Sequence, residues 1–362
     1  MLPELLNTIV FYEDYLSFAG VCKSWHSAAV HGDYSNGPPS RFPSLLLAEK
    51  EKDGHEFREL FILLHKSIRK IRLPEAYGKV YRSSCGWLVT VGDDHATQLI
   101  NPLSRETINL PKVDTFPGFV VNSRWYEGIQ KLLIVTNNPS SLALPLIVVI
   151  WGNCSKVGFW CPEDKKWIVV GQFWDMYIRD ITYYNGQVYC IDKYHCIRAC
   201  DVYGENPTAL VDVSRLPTDL YDKLHSMDRA YIIGLDESKK KKLLVVIRHV
   251  TWDGKLPFDT YKTKRFLLFA YDLEDEGWSI VNDLGKKTLF VGHNSSFWIE
   301  DATGVIKRNC IYYTDDADLL YYATKRGGGD MGIYHLSDGT IEPHFNGESC
   351  HFLTPPMWLE SI

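Results

Sequence analysis

No stretch of this chain is apolar for long enough to cross a bilayer as a helix. The run 142–151 comes nearest, but Pro145 interrupts it and it falls short of the roughly 18 residues a spanning helix needs. A basic segment followed by an apolar one is also lacking at the amino terminus, so no secretory leader is expected. The tripeptides Asn153-Cys154-Ser155 and Asn294-Ser295-Ser296 are then not expected to carry sugar. Basic residues do not predominate: 39 Lys and Arg stand against 45 Asp and Glu, a net charge of −6, which argues against a nucleic-acid backbone as partner. The nine cysteines are odd in number, include no Cys-x2-Cys pair and fall mostly in apolar runs, the pattern of reduced buried thiols. Neither membrane nor nucleic acid is expected as partner, and the expected location is the cytoplasm, the nucleus or both.

Motifs that carry chemistry are missing too. There is no Gly-x-Ser-x-Gly elbow, no His-Glu-x-x-His, no phosphate-binding Gly-rich loop ending in Lys-Ser or Lys-Thr, and no Gly-x-Gly-x-x-Gly. Gly327-Gly328-Gly329 has no phosphate-binding continuation and is expected to be a mobile loop. Cys190, His195, Cys196 and Cys200 offer zinc ligands, but neighbours on a strand point to opposite faces, so His195 and Cys196 do not readily share one ion. Asp315, Asp316 and Asp318 have the chemistry for calcium, yet such clusters at strand ends more commonly cap turns. Asp175, Asp180, Asp192 and Asp201 have the chemistry of a glycosidase pair facing a channel, at separations the sequence does not fix. Twelve histidines and 21 tyrosines allow a copper oxidase without indicating one. The expectation is no catalytic residue, no cofactor and no metal. Lys239, Lys240, Lys241 and Lys242 allow a nuclear-localisation patch but are expected to be a solvated hairpin tip leading into the strand at Leu243.

What is present begins with two amphipathic stretches. Leu5, Leu6, Ile9 and Val10 recur at helical spacing behind Pro3 and Glu4, and Val21, Cys22, Trp25, Ala28 and Ala29 repeat the pattern. Tyr15, Leu16 and Phe18 suit a short helix between them. A unit under about 40 residues rarely folds without help, so these faces should dock on the rest of the chain or on another protein.

From residue 44 the pattern becomes β. One unit recurs: an apolar strand, a second ending in a polar or Pro-containing turn, and a short closing strand. It is found at 86–91, 98–103 and 107–110; at 147–151, 158–162 and 166–170; at 187–191, 197–202 and 209–213; at 243–247, 266–272 and 278–281; and at 309–314, 332–336 and 340–344. Residues 44–48, 60–64 and 70–73 make one more. This repetition predicts a mainly β fold, a β-propeller of six blades, or of seven if 290–300 forms its own. A large β-sandwich fits less well over about 310 residues without helices. The expected division is 1–34 helical, 35–43 linker and 44–362 propeller. Any binding contacts of such a propeller should lie on blade-connecting loops, with Trp125, Tyr126, Trp252 and Phe258 as candidates.

Leu2-Pro3, Leu5-Leu6, Ile9, Asp14, Leu16 and Val21-Cys22-Lys23-Ser24-Trp25 resemble the F-box, the helical module that hangs substrate receptors on the Skp-type adaptor of SCF ubiquitin ligases. Compared with that pattern this copy is shortened by about four residues, roughly one helical turn. Asn101-Pro102-Leu103-Ser104-Arg105-Glu106-Thr107-Ile108-Asn109-Leu110-Pro111, Asn309-Cys310-Ile311-Tyr312-Tyr313-Thr314-Asp315-Asp316 and 331–343 resemble the plant domain of unknown function 295, as do Leu284-Gly285 and Leu289 to Asn294. That resemblance implies a land-plant F-box protein with a kelch-like propeller. It implies a substrate receptor whose partners are the Skp-type adaptor, through it cullin and RING subunits, and a protein client. The residues it marks for adaptor contact are Leu2, Pro3, Leu5, Leu6, Ile9, Val10, Leu16, Val21, Cys22 and Trp25. The alternative is a free-standing propeller interaction module that has lost adaptor binding.

Overall fold

The computed structural model describes residues 18–31, 42–50, 55–119, 128–135, 145–152, 155–162, 164–171, 177–220, 228–237, 240–251, 261–301, 303–317 and 327–360. Among the described residues, one α-helix, α1 (Lys23–His31), precedes 25 strands gathered into six sheets. Blade one holds β1 (Ser44–Leu46), β2 (Phe57–Ile62) and β3 (Ser67–Arg72); blade two, β4 (Val80–Ser84), β5 (Trp87–Val91), β6 (Thr97–Ile100) and β7 (Thr107–Leu110). Blade three holds β8 (Ile129–Val135), β9 (Leu146–Trp151), β10 (Lys156–Trp160) and β11 (Ile168–Val170); blade four, β12 (Ile178–Tyr184), β13 (Gln187–Asp192), β14 (Cys196–Cys200) and β15 (Val211–Arg215). Blade five holds β16 (Arg229–Glu237), β17 (Lys240–Thr251), β18 (Lys262–Asp272) and β19 (Trp278–Ile280). Blade six holds β20 (Lys287–Val291), β21 (Phe297–Glu300), β22 (Cys310–Tyr313), β23 (Gly332–His335) and β24 (Ile341–Glu342). The last strand, β25 (Met357–Leu359), pairs antiparallel with β1, Leu45 opposite Trp358, and so completes blade one.

The molecule is therefore a six-bladed propeller. Residues 290–300 form no seventh blade: β21 folds back antiparallel on β20, and the chain then crosses over so that β22 runs parallel to β20 on its other side.

Continuous apolarity in the middle strands has a simple cause. Every residue of β9 is buried because its two faces meet different blades. Ile147, Val149 and Trp151 enter a layer shared with blade two, while Leu146, Val148 and Ile150 enter one shared with blade four. In β17, Leu243, Val245 and Ile247 face blade four while Leu244 and Val246 face blade six. Six such layers, one at each blade junction, make up the propeller core. Packed on both faces, a strand of this kind gains about 25 cal/mol for each Å2 of apolar surface removed from water.

Each three-strand unit read from the sequence lacks one strand of its blade, and the unit of blade six lacks two, β20 and β21. β4, β8, β12, β16 and β20 have no counterpart among those units, nor has β25, so the first strand of a blade is the one the pattern conceals. Of the Lys239–Lys242 run, Lys239 lies outside the described residues, and the strand expected from Leu243 already begins at Lys240, with Lys240 paired to Asp272 and Asp275 and Lys242 to Glu237. Gly327-Gly328-Gly329 is a correction. It packs into the protein, the Gly328 and Gly329 N–H groups donating to the buried Asp315 carboxylate at 2.9 and 3.0 Å. Gly328 has φ +105, and a Cβ there would lie 2.3 Å from the Ser349 carbonyl oxygen.

Candidate functional site

The first place to look for chemistry is the channel on which the inner strands converge. Segment 292–296 fills it. The Lys131 ammonium on β8 donates to the Gly292 and Asn294 carbonyls at 2.6 and 2.9 Å and lies 3.1 Å from the Asp180 carboxylate on β12. Asp180 also accepts the Ser296 hydroxyl at 2.6 Å and the Ile232 N–H of β16 at 3.1 Å. Ser295 donates its N–H to the Ser83 carbonyl on β4 at 2.8 Å, and its hydroxyl lies 3.0 Å from that of Ser84. This short segment thus ties together the inner strands of blades two to five. Burial pushes the Asp180 carboxyl up from its ordinary range, and Lys131, Ser296 and the Ile232 amide pull against that. Asn294 is buried, and its tripeptide is part of this plug.

A second buried network lies between blades five and six. The Arg248 guanidinium reaches Asp316 at 3.0 Å, Asp330 at 2.8 Å and the Thr314 carbonyl at 2.8 Å, and it stacks over Tyr313 at 4.6 Å. Tyr231 donates to Asp316 at 2.9 Å. Asp315 points elsewhere, accepting from Tyr261, Gly328 and Gly329. Adjacent in sequence, Asp315 and Asp316 serve different partners. Asp315 does cap locally, accepting the Ala317 N–H at 3.2 Å, but its principal bonds are long-range. Asp318 lies outside the described residues.

The other candidates are separated. Asp180 does face the channel, but as the partner of Lys131. Asp192 accepts the Tyr194 and Cys196 amides in the β13–β14 turn and pairs with Arg198, Asp201 accepts the Tyr203 amide, and Asp175 is outside the described residues. Cys196 and Cys200 stand at opposite ends of one strand, about 13 Å apart at roughly 3.3 Å per residue, too far to share an ion. Burial pushes the Cys190 thiol up to about 12. Among the described residues no three His, Cys, Asp or Glu side chains gather as metal ligands, and no helix is long and apolar enough to cross a membrane.

What remains is surface. At the amino-terminal end, Val21 donates its N–H to the Phe18 carbonyl and α1 follows at once. Phe18 packs against Trp25 with the rings tilted by 38° and centroids 4.5 Å apart, and together with Ala28 and Ala29 they form a small apolar cluster drawn, among the described residues, from this segment alone. Trp25 is half-buried in that cluster. Val21 is 59% exposed and Cys22 is exposed beside it. The expected adaptor residues Leu2, Pro3, Leu5, Leu6, Ile9, Val10 and Leu16 lie outside the described residues, as do the loop aromatics Trp125, Tyr126, Trp252 and Phe258. Sequence reasoning did not single out Lys131, Arg248 or Asp330. The signal for the plug was Gly292-His293-Asn294, visible only as a block of family resemblance.

Residues 60–335 match the profile of the KIB1-4 β-propeller family. Among curated proteins, the chain is 22% identical over 400 residues to the Arabidopsis thaliana F-box protein At2g17036, covering 96% of this chain and 89% of that one. It is 24% identical over 399 residues to the Arabidopsis thaliana F-box protein SKIP23, covering 96% of this chain and 91% of that one. An alignment of that coverage has to reach into the amino-terminal segment ahead of the blades, so the likeness is not confined to the propeller.

Proposed function

The chain belongs to the KIB1-4 β-propeller family, and from that premise we propose that it is a substrate-recognition subunit of an SCF-type ubiquitin ligase. Propeller and relatives together are those of an interaction module rather than of an enzyme family. In this proposal the amino-terminal segment docks on a Skp-type adaptor through Leu2, Pro3, Leu5, Leu6, Ile9, Val10, Leu16, Val21, Cys22 and Trp25, and through it meets cullin and RING subunits in cytoplasm or nucleus. The likeness to the domain of unknown function 295 and its kelch-like propeller belongs to the same proposal. The propeller holds a protein client, and the mechanism is positional: tethering raises the client's effective concentration near the ubiquitin-charged enzyme.

The observation that carries the proposal is the exposed Val21-Cys22 pair beside a small apolar cluster that is separate from the six propeller layers. Large apolar residues left in water next to a preformed helix are suited to groove docking, at about 1.5 to 3 kcal/mol for each side chain fully buried. The test is co-purification of the tagged full chain with a Skp-type adaptor. Recovery is expected from wild type and is expected to drop at least about tenfold in Val21→Asp, a change of about 1.4 kcal/mol or more, with the thermal midpoint unchanged. Absence of adaptor from the wild-type preparation would instead favour the free-standing propeller module.

A further inference from the structure

In blade five the third strand outruns the fourth. β18 spans Lys262–Asp272, yet β19 pairs only with Phe269, Ala270 and Tyr271. One further bond, from the Val281 N–H to the Leu268 carbonyl at 2.9 Å, ends that ladder. It also sets the phase. Alternate residues of a strand send both backbone groups to the same side, so Phe266, like Leu268, turns its amide and carbonyl away from β17 towards the outer edge. The edge is closed beyond Arg265 by a bulge, where the register passes from His249–Arg265 to Val250–Thr263 and the Thr263 N–H is held by Asp330 at 2.9 Å.

A half-open pocket of about 200 Å3, whose walls expose polar as well as apolar atoms, lies at the same place. Phe266 and Leu268 floor it, Ile280 stands where the chain leaves β19, and Leu220, Tyr334 and Leu336 wall it from the neighbouring blades. Ile280 is 55% exposed at the rim. Lys264 and Arg265 are exposed at the bulged end of the edge.

We propose that this notch is a strand-addition site, in which an extended acidic segment of the client protein pairs with β18 along Arg265–Leu268 and seats one apolar side chain in the cavity. The inference rests on the reading of the chain as a client receptor and deepens it. Three features select this occupant. An outward-facing amide and carbonyl are complemented by another strand. The cavity is smaller than the roughly 300 Å3 of the smallest ligand pockets, a size suited to a side chain rather than a small molecule. Lys264, exposed at that end, attracts carboxylates although the chain carries a net charge of −6, and it repels the same edge of a second copy.

The test uses the full chain and three labelled peptides of about eight residues that alternate glutamate with valine, leucine or phenylalanine. Fluorescence anisotropy reads affinity, and hydrogen exchange reads protection of the outward-facing Phe266 and Leu268 amides within 265–268. At least one peptide is expected to bind saturably and to slow exchange there. Ile280→Arg and Lys264→Glu are each expected to weaken it by at least about tenfold, and proline at alternate peptide positions to abolish binding. No saturable binding at ~1 mM overturns the proposal, as does equal binding of the proline peptide. Slow exchange of the Phe266 amide in the free chain would show the edge covered by the chain itself, and a concentration-dependent dimer protecting the same amide would assign it to a second copy; either overturns the proposal. Adaptor recovery is scored separately: peptide binding without adaptor leaves the notch standing and sinks the ligase reading, and the converse sinks the notch alone.

Discussion

Asp315 is a carboxyl held out of water. Burial first, then the charge of Asp330, pushes its pKa from an ordinary 3.8 up to about 6, while Tyr261, Arg248 and the Gly328 amide pull it back. The folded chain then holds a proton that the unfolded chain has already released, so this group lowers stability as pH rises from about 4 to about 6. His195 and His344 have the opposite sign. Burial pushes both from 6.5 down to about 4, so the folded chain resists their protonation and stability falls as pH drops through that range. Asp315 therefore offsets part of the histidine effect in the same window. In Asp315→Asn that offset is gone, and the stability gained between pH 4 and 6.5 should exceed the wild-type gain by about 3 kcal/mol in urea titrations. Equal gains would mean that Asp315 titrates normally.

Among the elements, β25 is a short strand with the longest reach. Trp358 is fully buried, with Phe290 at 5.1 Å and His344 at 4.8 Å between ring centroids, so this one strand fastens blade one to blade six. Trp358→Ala should cost about 3 to 5 kcal/mol, seen as a lower denaturant midpoint; a loss under about 1 kcal/mol would show the closure to be dispensable. Middle strands were legible in the sequence because both their faces are apolar, as in 147–151 and 243–247. The inner strands were not, because Arg82, Lys131 and Asp180 stand where an alternating pattern asks for an apolar residue, and their partners lie far along the chain, outside their own blades. β25 escaped notice because so short a run between Pro356 and Glu360 makes no pattern. Gly327-Gly328-Gly329 misled because glycine serves a packed amide cradle as well as it serves a loose loop. Of the amino-terminal site, helical periodicity was readable from the residues, but the kind of partner came only from resemblance.

Across the whole molecule, six apolar layers and one polar plug make each blade depend on its neighbours. Lys131 is the plug's principal donor, and its loss leaves Asp180 buried without a countercharge. Lys131→Met should cost about 3 to 5 kcal/mol, and the double variant Lys131→Met with Asp180→Leu should recover much of that loss. A double variant no better than the single would place the cost in the lost bonds to Gly292 and Asn294 instead. Near- and far-ultraviolet dichroism should follow one transition in each case, since no blade has a layer of its own.

The closure of blade one also sets a timetable for making the protein. Ser44 leaves the ribosome some 315 residues ahead of its partner Leu359. At about 5 to 20 residues per second, β1 waits on the order of 15 to 60 s with one edge open. Lys131 and Asp180 likewise emerge well before the 292–296 segment that covers them. Blades two to five can pair their own strands during synthesis, but the ring shuts only once β25 has been made, so a chain truncated ahead of Met357 is an open ring with an exposed edge.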